Sequence, residues 1–166
     1  LGVIFSSPFF QLPDDVSPLL IKLAGVLGVY APWLPVSKLA TTAVSRDPEV
    51  VRAYEADPLN HHGPILARTG AQINAAVLAA RAGCGKITVP SFVFHGDADG
   101  LAPYAGGKYL YEHLGASDKS FQQYPGGFHE LFNDLPKDEV LRAAVAWYDA
   151  RNRATEVQFA DGTDQI

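Results

Sequence analysis

The stretch ITVPSFVFHGDADGLAP, residues 87–103, decides the fold of this chain. Its first half, Ile87 to Phe94, is rich in β-branched and aromatic residues and is closed by a glycine. This pattern predicts a strand buried on both faces, as in a parallel sheet. Two carboxylates, Asp97 and Asp99, follow directly. Because reactive side chains in open α/β sheets lie on loops just past the carboxyl ends of strands, this loop is a candidate site.

A histidine stands on the next loop of the same kind. His129 lies in YPGGFHEL, after the predicted strand KSFQQY and before a predicted helix. A carboxylate and a histidine on two such loops are two members of a nucleophilic triad, in which the acid orients the ring and the histidine acts as general base. Asp97 lies at the tight exit from the strand, where an acidic side chain caps the turn or stays in solvent. We therefore favour Asp99 as the partner of His129, and we give His95, at the end of the strand, no functional role.

Composition and charge exclude several classes of function. The chain has 166 residues, enough for one domain with a core, and a formal net charge of −5. Its basic residues are scattered, so a nucleic-acid partner is not expected. A single cysteine, Cys84, excludes an internal disulfide. The neighbouring His61 and His62 point in different directions and have no third ligand at zinc-like spacing, so neither a metal nor another cofactor is predicted.

The first residues indicate that the chain belongs to a longer protein. It starts with Leu1, contains no methionine, and opens with LGVIF, which reads as the middle of a buried strand. We therefore expect this to be the carboxyl-terminal part of a larger molecule. Ser6 and Ser7, after this strand, are interpreted as turn residues rather than nucleophiles, because neither lies in a glycine-flanked elbow.

The remaining patterns predict an α/β fold with parallel strands, flanking helices and one helical insertion. Residues 1–8 form a core strand, 9–83 a helical cap insertion that leads into a core helix and contains no strand, 84–153 the carboxyl-terminal core, and 154–166 a flexible tail. Helices are predicted to start at Ser17, Asp47, Pro64, Pro103 and Pro136, the last one ending at Arg151. Two buried faces are predicted, on the third helix and on the closing helix: Ile73, Val77 and Leu78, and Leu141, Ala144, Val145 and Tyr148.

The most apolar segment is LLIKLAGVLGVYAPWLPV, residues 19–36. Lys22 lies within it and two prolines break it, so it is not a convincing membrane span. A short helix that is apolar almost all round is either a core helix or a surface that meets lipid.

Four strings in this order resemble a known family: SRDPEVVRAYEADPL, VPSFVFHGDADGLAP, GASDKSFQQYPGGFHELFND and DEVLRAAVAWYDAR. Together they are similar to the carboxyl-terminal half of bacterial monoacylglycerol lipases and lysophospholipase-like α/β-hydrolases, also called serine aminopeptidase S33-like. The resemblance covers residues 1 to about 151. It implies that Asp99, in the HGxxD loop, is the triad acid and that His129 is the triad histidine.

The resemblance also implies a cap over residues 9 to about 75, whose apolar helix meets a lipid interface and shapes an acyl tunnel. The substrate-binding side chains expected there are Leu19, Leu20, Leu23, Leu27 and Trp33. The implied protein is a serine ester hydrolase of monoacylglycerols or similar small lipid esters, located in the cytoplasm or peripherally on a membrane.

Two elements of that family are absent from the sequence, the elbow that carries the nucleophile and the H-G-x-x-E-like loop that carries part of the oxyanion hole. The G-x-S-x-G elbow that carries the nucleophile does not occur in the 166 residues, and the resemblance places it upstream. By itself the chain is therefore expected to be inactive. Three alternatives remain open: another α/β-hydrolase such as an epoxide hydrolase or peptidase, a non-catalytic truncated remnant acting as an interaction module, and a split enzyme completed by a separate amino-terminal half.

Overall fold

The structure is a computed structural model that describes residues 2–13 and 16–161; for Pro18, Leu20 and residues 153–161 it describes the backbone only. The strands are β1 (Val3–Ser6), β2 (Pro35–Ser37), β3 (Ile65–Leu66), β4 (Ser91–Gly96) and β5 (Lys119–Tyr124). The α-helices are α1 (Pro18–Tyr30), α2 (Pro48–Ala56), α3 (Ala67–Gly83), α4 (Tyr104–His113) and α5 (Lys137–Asp161).

The main sheet consists of β1, β4 and β5, all parallel, with β4 in the middle. Val93 of β4 pairs with Phe5 on one side and with Phe121 on the other. At the carboxyl end of the sheet, Gly96 lies opposite Tyr124. The loops that follow β4 and β5 therefore start side by side, as the sequence predicted for a parallel sheet with flanking helices.

Both faces of the sheet are covered, which explains why all six residues of β4 are buried. One face carries a cluster of Phe92, Phe94, Tyr124, Leu131 and Val140, the last of these from α5. The opposite face carries Val93 with Cys84, Leu110 and Leu114, which brings α4 onto that side. Full burial of each large apolar side chain stabilises the fold by about 1.5–3 kcal/mol.

The central strand starts later than predicted, at Ser91 instead of Ile87. Pro90 has no N–H to donate, so pairing on that side cannot extend through it. Its carbonyl instead accepts from the N–H of Val3, at 2.9 Å, and closes the amino-terminal end of the β1–β4 ladder.

The segment predicted to form the cap, residues 9–83, contains α1, α2 and α3. Ser17 caps α1, with its Oγ accepting from Leu19 N at 3.2 Å. The α1 and α3 helices pack closely where Gly28 faces Ala71, since a Cβ placed on Gly28 would lie 3.1 Å from the Ala71 Cβ. The prediction of no strand in this region is wrong, because β2 and β3 form an antiparallel ribbon. Strands of three and two residues are too short to show the alternation that identifies a strand.

The predicted face of α3 is only partly correct. Val77 is buried and Ile73 partly buried, whereas Leu78 is 60% exposed. Five residues rotate a helix by about 140°. Leu78 therefore points well away from the face that Ile73 and Val77 share.

The closing helix differs from its prediction in both face and length. Its buried residues are Val140 and Ala144, whereas Leu141, Val145 and Tyr148 are about half exposed. The helix is apolar around much of its circumference here, so contact with the sheet selects the buried stripe. It also continues past Arg151 to Asp161, since residues 137–161 contain no proline or glycine to stop it. The predicted flexibility of residues 162–166 lies outside the described residues.

Candidate active site

The predicted acid and histidine meet at the carboxyl end of the sheet. His129 Nδ1 lies 2.8 Å from Asp99 Oδ2. The Asp99 side chain is fully buried, while that of His129 is 32% exposed. Because an ionised carboxylate can only accept, Nδ1 of the ring carries the hydrogen. The other ring nitrogen, Nε2, is then free to accept a proton.

Both oxygens of the Asp99 carboxylate accept hydrogen bonds. Its Oδ1 accepts from the backbone N–H groups of Leu101, at 2.8 Å, and Ala102, at 2.9 Å. Burial alone would raise the pKa of Asp99, but hydrogen bonds from His129, His95 and the Ala102 N–H outweigh it and hold the pKa well below its ordinary value. Asp99 is therefore anionic at neutral pH and keeps one orientation.

Close backbone contact brings the two loops together. A Cβ on Gly96 would lie 2.2 Å from the Gly127 carbonyl oxygen, so a side chain there would push the loops apart. The neighbouring Gly126 has φ +67°, a conformation that favours glycine. Asp97 is exposed, and its Oδ1 accepts from the Gly126 N–H at 2.6 Å, so it caps the histidine loop rather than the turn at the exit from its own strand.

A buried ion pair ties the histidine loop to the cap. Asp134 Oδ2 accepts from the Arg46 side chain at 2.9 Å and from the Phe128 N–H at 2.9 Å. Burial would raise the pKa of Asp134, but hydrogen bonds from Arg46 and from backbone N–H groups lower it to about 2. The Glu130 N–H donates to the Val44 carbonyl at 2.8 Å. The residues on both sides of His129 are thus fixed to the 44–46 segment of the cap.

A cavity of about 490 Å³ lies between the cap and the core and reaches His129. Its walls are mostly apolar, with Ser37 and Asn74 contributing polar groups. The other lining residues, from both cap and core, are Phe9, Leu12, Pro13, Val16, Ile21, Ala24, Val36, Leu39, Ile65, Gly70, Ile73 and Leu101. The exposed edge of the candidate base therefore faces an apolar space large enough for part of a lipid chain.

A family model for serine aminopeptidase S33 matches residues 1–136. The chain belongs to the serine aminopeptidase S33 family. Among its relatives are the monoacylglycerol lipase of Mycolicibacterium smegmatis, 39% identical over 88% of this chain and 52% of that protein, and the caffeoylshikimate esterase of Arabidopsis thaliana, 28% identical over 90% and 47%. This S33-family chain spans about half the length of the curated relatives it matches.

Solved structures of monoacylglycerol lipases have the same fold. The enzyme of Paleococcus ferrophilus superposes with a TM-score of 0.78 at 32% identity, over 88% of this chain and 57% of that one. A soluble variant of the Saccharomyces cerevisiae monoglyceride lipase, solved with a substrate analogue, gives 0.73 at 18% identity, over 90% and 55%. This S33-family chain therefore carries part of an α/β-hydrolase fold.

Of the five cap residues predicted to bind substrate in this S33-family chain, the four whose side chains the structure describes do not line the cavity. The face of α1 that does so contains Ile21 and Ala24. Leu19, Leu23 and Trp33 are 65%, 45% and 69% exposed. Leu27 is partly buried and is not a lining residue, and the Leu20 side chain lies outside the described residues. On a helix that is apolar almost all round, hydrophobicity alone cannot identify the inward face.

Two groups at the site were missed by sequence reasoning. His95, which was given no role, has its Nε2 3.2 Å from Asp99 Oδ2. Arg46 and Asp134 are 88 residues apart, and no local pattern indicates that they pair. The sequence signal that could have indicated a role for His95 was its place in the His-Gly dipeptide directly before Asp97. A histidine at the buried carboxyl end of the strand is well placed to contact the loop that follows.

The two adjacent histidines considered as metal ligands have structural partners. The Nε2 atoms of His61 and His62 lie 3.4 Å from the Pro64 carbonyl and 3.0 Å from the Asp57 carbonyl. Within residues 2–13 and 16–161, no group of three or more His, Cys, Asp or Glu side chains is placed to hold a metal. Ser7 is buried at φ 43°, in the turn predicted after β1.

Proposed function

We propose that the protein containing this chain is a serine ester hydrolase of monoacylglycerols or similar single-chain lipid esters. The observation that carries the proposal is the 2.8 Å contact between Asp99 and His129, at an apolar cavity of about 490 Å³. Membership of the S33 family and the lipase relatives support it.

In this mechanism Nε2 of His129 takes the proton from a serine hydroxyl as that oxygen attacks the ester carbonyl carbon. The ring becomes an imidazolium, which the buried Asp99 carboxylate stabilises through Nδ1–H. The imidazolium then gives its proton to the leaving alkoxide, and an acyl-enzyme remains. Water hydrolyses the acyl-enzyme by the same proton transfers. The serine is supplied by sequence outside residues 1–166, since these contain no G-x-S-x-G.

The lining of the cavity supports a lipid substrate rather than a peptide or a charged one. Among the residues that the structure describes, no Asp, Glu, Lys or Arg side chain contributes to it. Each methylene of an acyl chain that leaves water for such a site contributes about 0.8 kcal/mol. Ser37 and Asn74 provide hydrogen-bonding groups for a small polar head group.

Labelling with a fluorophosphonate tests the missing nucleophile. We expect the 166-residue chain alone to remain unlabelled and the product of the intact open reading frame to be labelled on one serine outside residues 1–166. Mass spectrometry of the labelled peptide locates the modification. Labelling of the isolated chain would show that the nucleophile lies within it, whereas an aspartate at the elbow of the intact product would indicate a different α/β-hydrolase.

The outward face of α1 supports contact with a lipid interface. Leu19, Leu23, Val26 and Tyr30 share one face at helical spacing, and each is at least 45% exposed. Trp33, just beyond the helix, is 69% exposed. An apolar stripe of this kind on a cap over an apolar cavity suits reversible docking on a membrane surface. No described helix is long and apolar enough to cross a bilayer.

A vesicle-binding experiment tests this face. In the product of the intact open reading frame, the double substitution Val26→Gln and Trp33→Gln should weaken binding to phosphatidylcholine vesicles at least about 10-fold, because each large apolar side chain that enters the bilayer contributes about 1.5–3 kcal/mol. Leu59→Gln is the matched control, since Leu59 is 92% exposed but lies outside α1. Equal binding of all three proteins in a sedimentation assay would contradict the proposal.

A further inference from the structure

A second histidine contacts the buried acid. His95 lies in β4, and its side chain is fully buried. Its Nε2 is 3.2 Å from Asp99 Oδ2 and 3.0 Å from the Ala102 carbonyl oxygen. The interaction of Asp99 with His129 does not by itself explain why a second histidine lies against the carboxylate. A polar side chain so deeply buried requires hydrogen-bond partners, and His95 finds its partners on the acid loop.

The surroundings of His95 fix which ring nitrogen carries the hydrogen. Both groups near Nε2, a carboxylate and a carbonyl, can only accept, so Nε2 is the donor. Nδ1 is buried and has no hydrogen-bond partner among the described residues. It packs against Gly107 of α4, where a Cβ would lie only 2.2 Å away. A hydrogen on Nδ1 would have no acceptor, so the ring is the Nε2–H tautomer.

This donor completes the set around the Asp99 carboxylate. Oδ1 accepts from two backbone N–H groups of its own loop, those of Leu101 and Ala102. Oδ2 accepts from His129 at 2.8 Å, and Nε2 of His95, which donates to the Ala102 carbonyl at 3.0 Å, lies 3.2 Å from the same oxygen. The two backbone bonds alone would let the plane of the carboxylate pivot about Oδ1. The contact with His95, which lies in the buried strand β4, restricts that freedom.

We propose that His95 is a positioning residue, whose Nε2–H holds Asp99 Oδ2 in the orientation that aims the His129 ring. Its bond to the Ala102 carbonyl, donated from the same N–H, also fixes the acid loop to the end of β4. The inference deepens the proposed hydrolase function and rests on it for its effect on rate. The glycine at position 107 belongs to the same arrangement, because only the absence of a side chain there leaves room for the ring.

Two substitutions separate the donor from the volume of the ring. His95→Gln keeps an N–H donor at similar reach, whereas His95→Leu fills much of the space without a donor. In the product of the intact open reading frame, we expect His95→Leu to lower kcat by about 10²-fold with KM almost unchanged, as a small misplacement of a catalytic group does. His95→Gln should recover most of this loss. Rates are expressed per fluorophosphonate-reactive site, so unfolded protein does not contribute.

The second measurement is the proton NMR signal of His129 Nδ1–H in the same three proteins. We expect the signal to persist in the wild type and His95→Gln, and to broaden or move upfield in His95→Leu as the bond to Asp99 loosens. An unchanged signal together with an unchanged kcat in His95→Leu would overturn the inference. If His95→Gln also lost the Nδ1–H signal and the high kcat, the inference would be overturned, because the imidazole ring rather than its N–H donor would then be required.

A different result would contradict the proposed hydrolase function. If His129→Ala retains full esterase activity, the proposed function is wrong. The NMR comparison of His95→Leu with His95→Gln still decides whether His95 positions the acid, since it needs no turnover.

Discussion

Replacing Asp99 by asparagine is expected to lower kcat of the intact protein by about 10⁴-fold. The backbone N–H groups of Leu101 and Ala102 both donate to Oδ1, so an asparagine would keep its oxygen there. Its NH₂ group would then face His129 and donate to Nδ1. This forces the ring hydrogen onto Nε2, the nitrogen that must accept the proton of the nucleophile. Ester hydrolysis with a monoacylglycerol under saturating conditions measures the effect.

Asp97→Asn is the matched control for this substitution. Asp97 lies two residues away, is exposed and caps the histidine loop through Gly126 N, a bond that an asparagine oxygen can still accept. We expect it to change kcat by less than about 10-fold, as for loss of charge at an exposed hydrogen bond. An Asp99→Asn enzyme as active as this control would contradict the assignment of Asp99 as the triad acid.

Asp134→Leu is expected to lower the free energy of unfolding by about 3–5 kcal/mol. Asp134 is fully buried, and its loss leaves the Arg46 guanidinium and the N–H groups of Arg46 and Phe128 without their acceptor. The interactions lost in this variant are the ones that fix the cap to the histidine loop. Urea unfolding of the intact protein, followed by intrinsic fluorescence, provides the measurement.

Two comparisons test whether the effect comes from an uncompensated charge. The pair Arg151–Asp118 is half exposed on the acidic side, so Asp118→Leu should cost less than about 1 kcal/mol. The double substitution Arg46→Met with Asp134→Leu should cost less than Asp134→Leu alone, because it removes both charges together. A loss for Asp134→Leu no larger than for Asp118→Leu would show that the buried pair does not hold the cap.

The same pair predicts a dependence of stability on pH. The pKa of Asp134 is about 2 in the folded protein, below the ordinary 3.8, so the unfolded chain binds more protons in this range. The stabilisation is therefore complete above about pH 4 and is lost as the pH falls towards 2. We expect the difference in unfolding free energy between wild type and Asp134→Asn to shrink over this interval. A constant difference from pH 5 to pH 2 would contradict this.

The local patterns of the chain were enough to predict that Asp99 and His129 lie close together. Strand β5 has the predicted bounds, and the caps at Ser17 and Asp47 start helices where expected. Asp99 and His129 could be predicted as candidate acid and histidine because each follows a strand. Parallel strands bring the loops at their carboxyl ends together, whatever lies between them in sequence. The distinction between Asp97 and Asp99 followed from a spacing of two residues.

Only the tertiary structure decided which faces and partners each element uses. The stripe of α5 that packs on the sheet, and the side of α1 that lines the cavity, could not be read from the sequence, because each helix has apolar residues on more than one face. His95 and the Arg46–Asp134 pair depend on contacts across loops or between distant segments. Sequence periodicity indicates on which face of its own helix or strand a residue lies. The contacts of a side chain with other elements depend on how those elements pack, and that is fixed only when the chain folds.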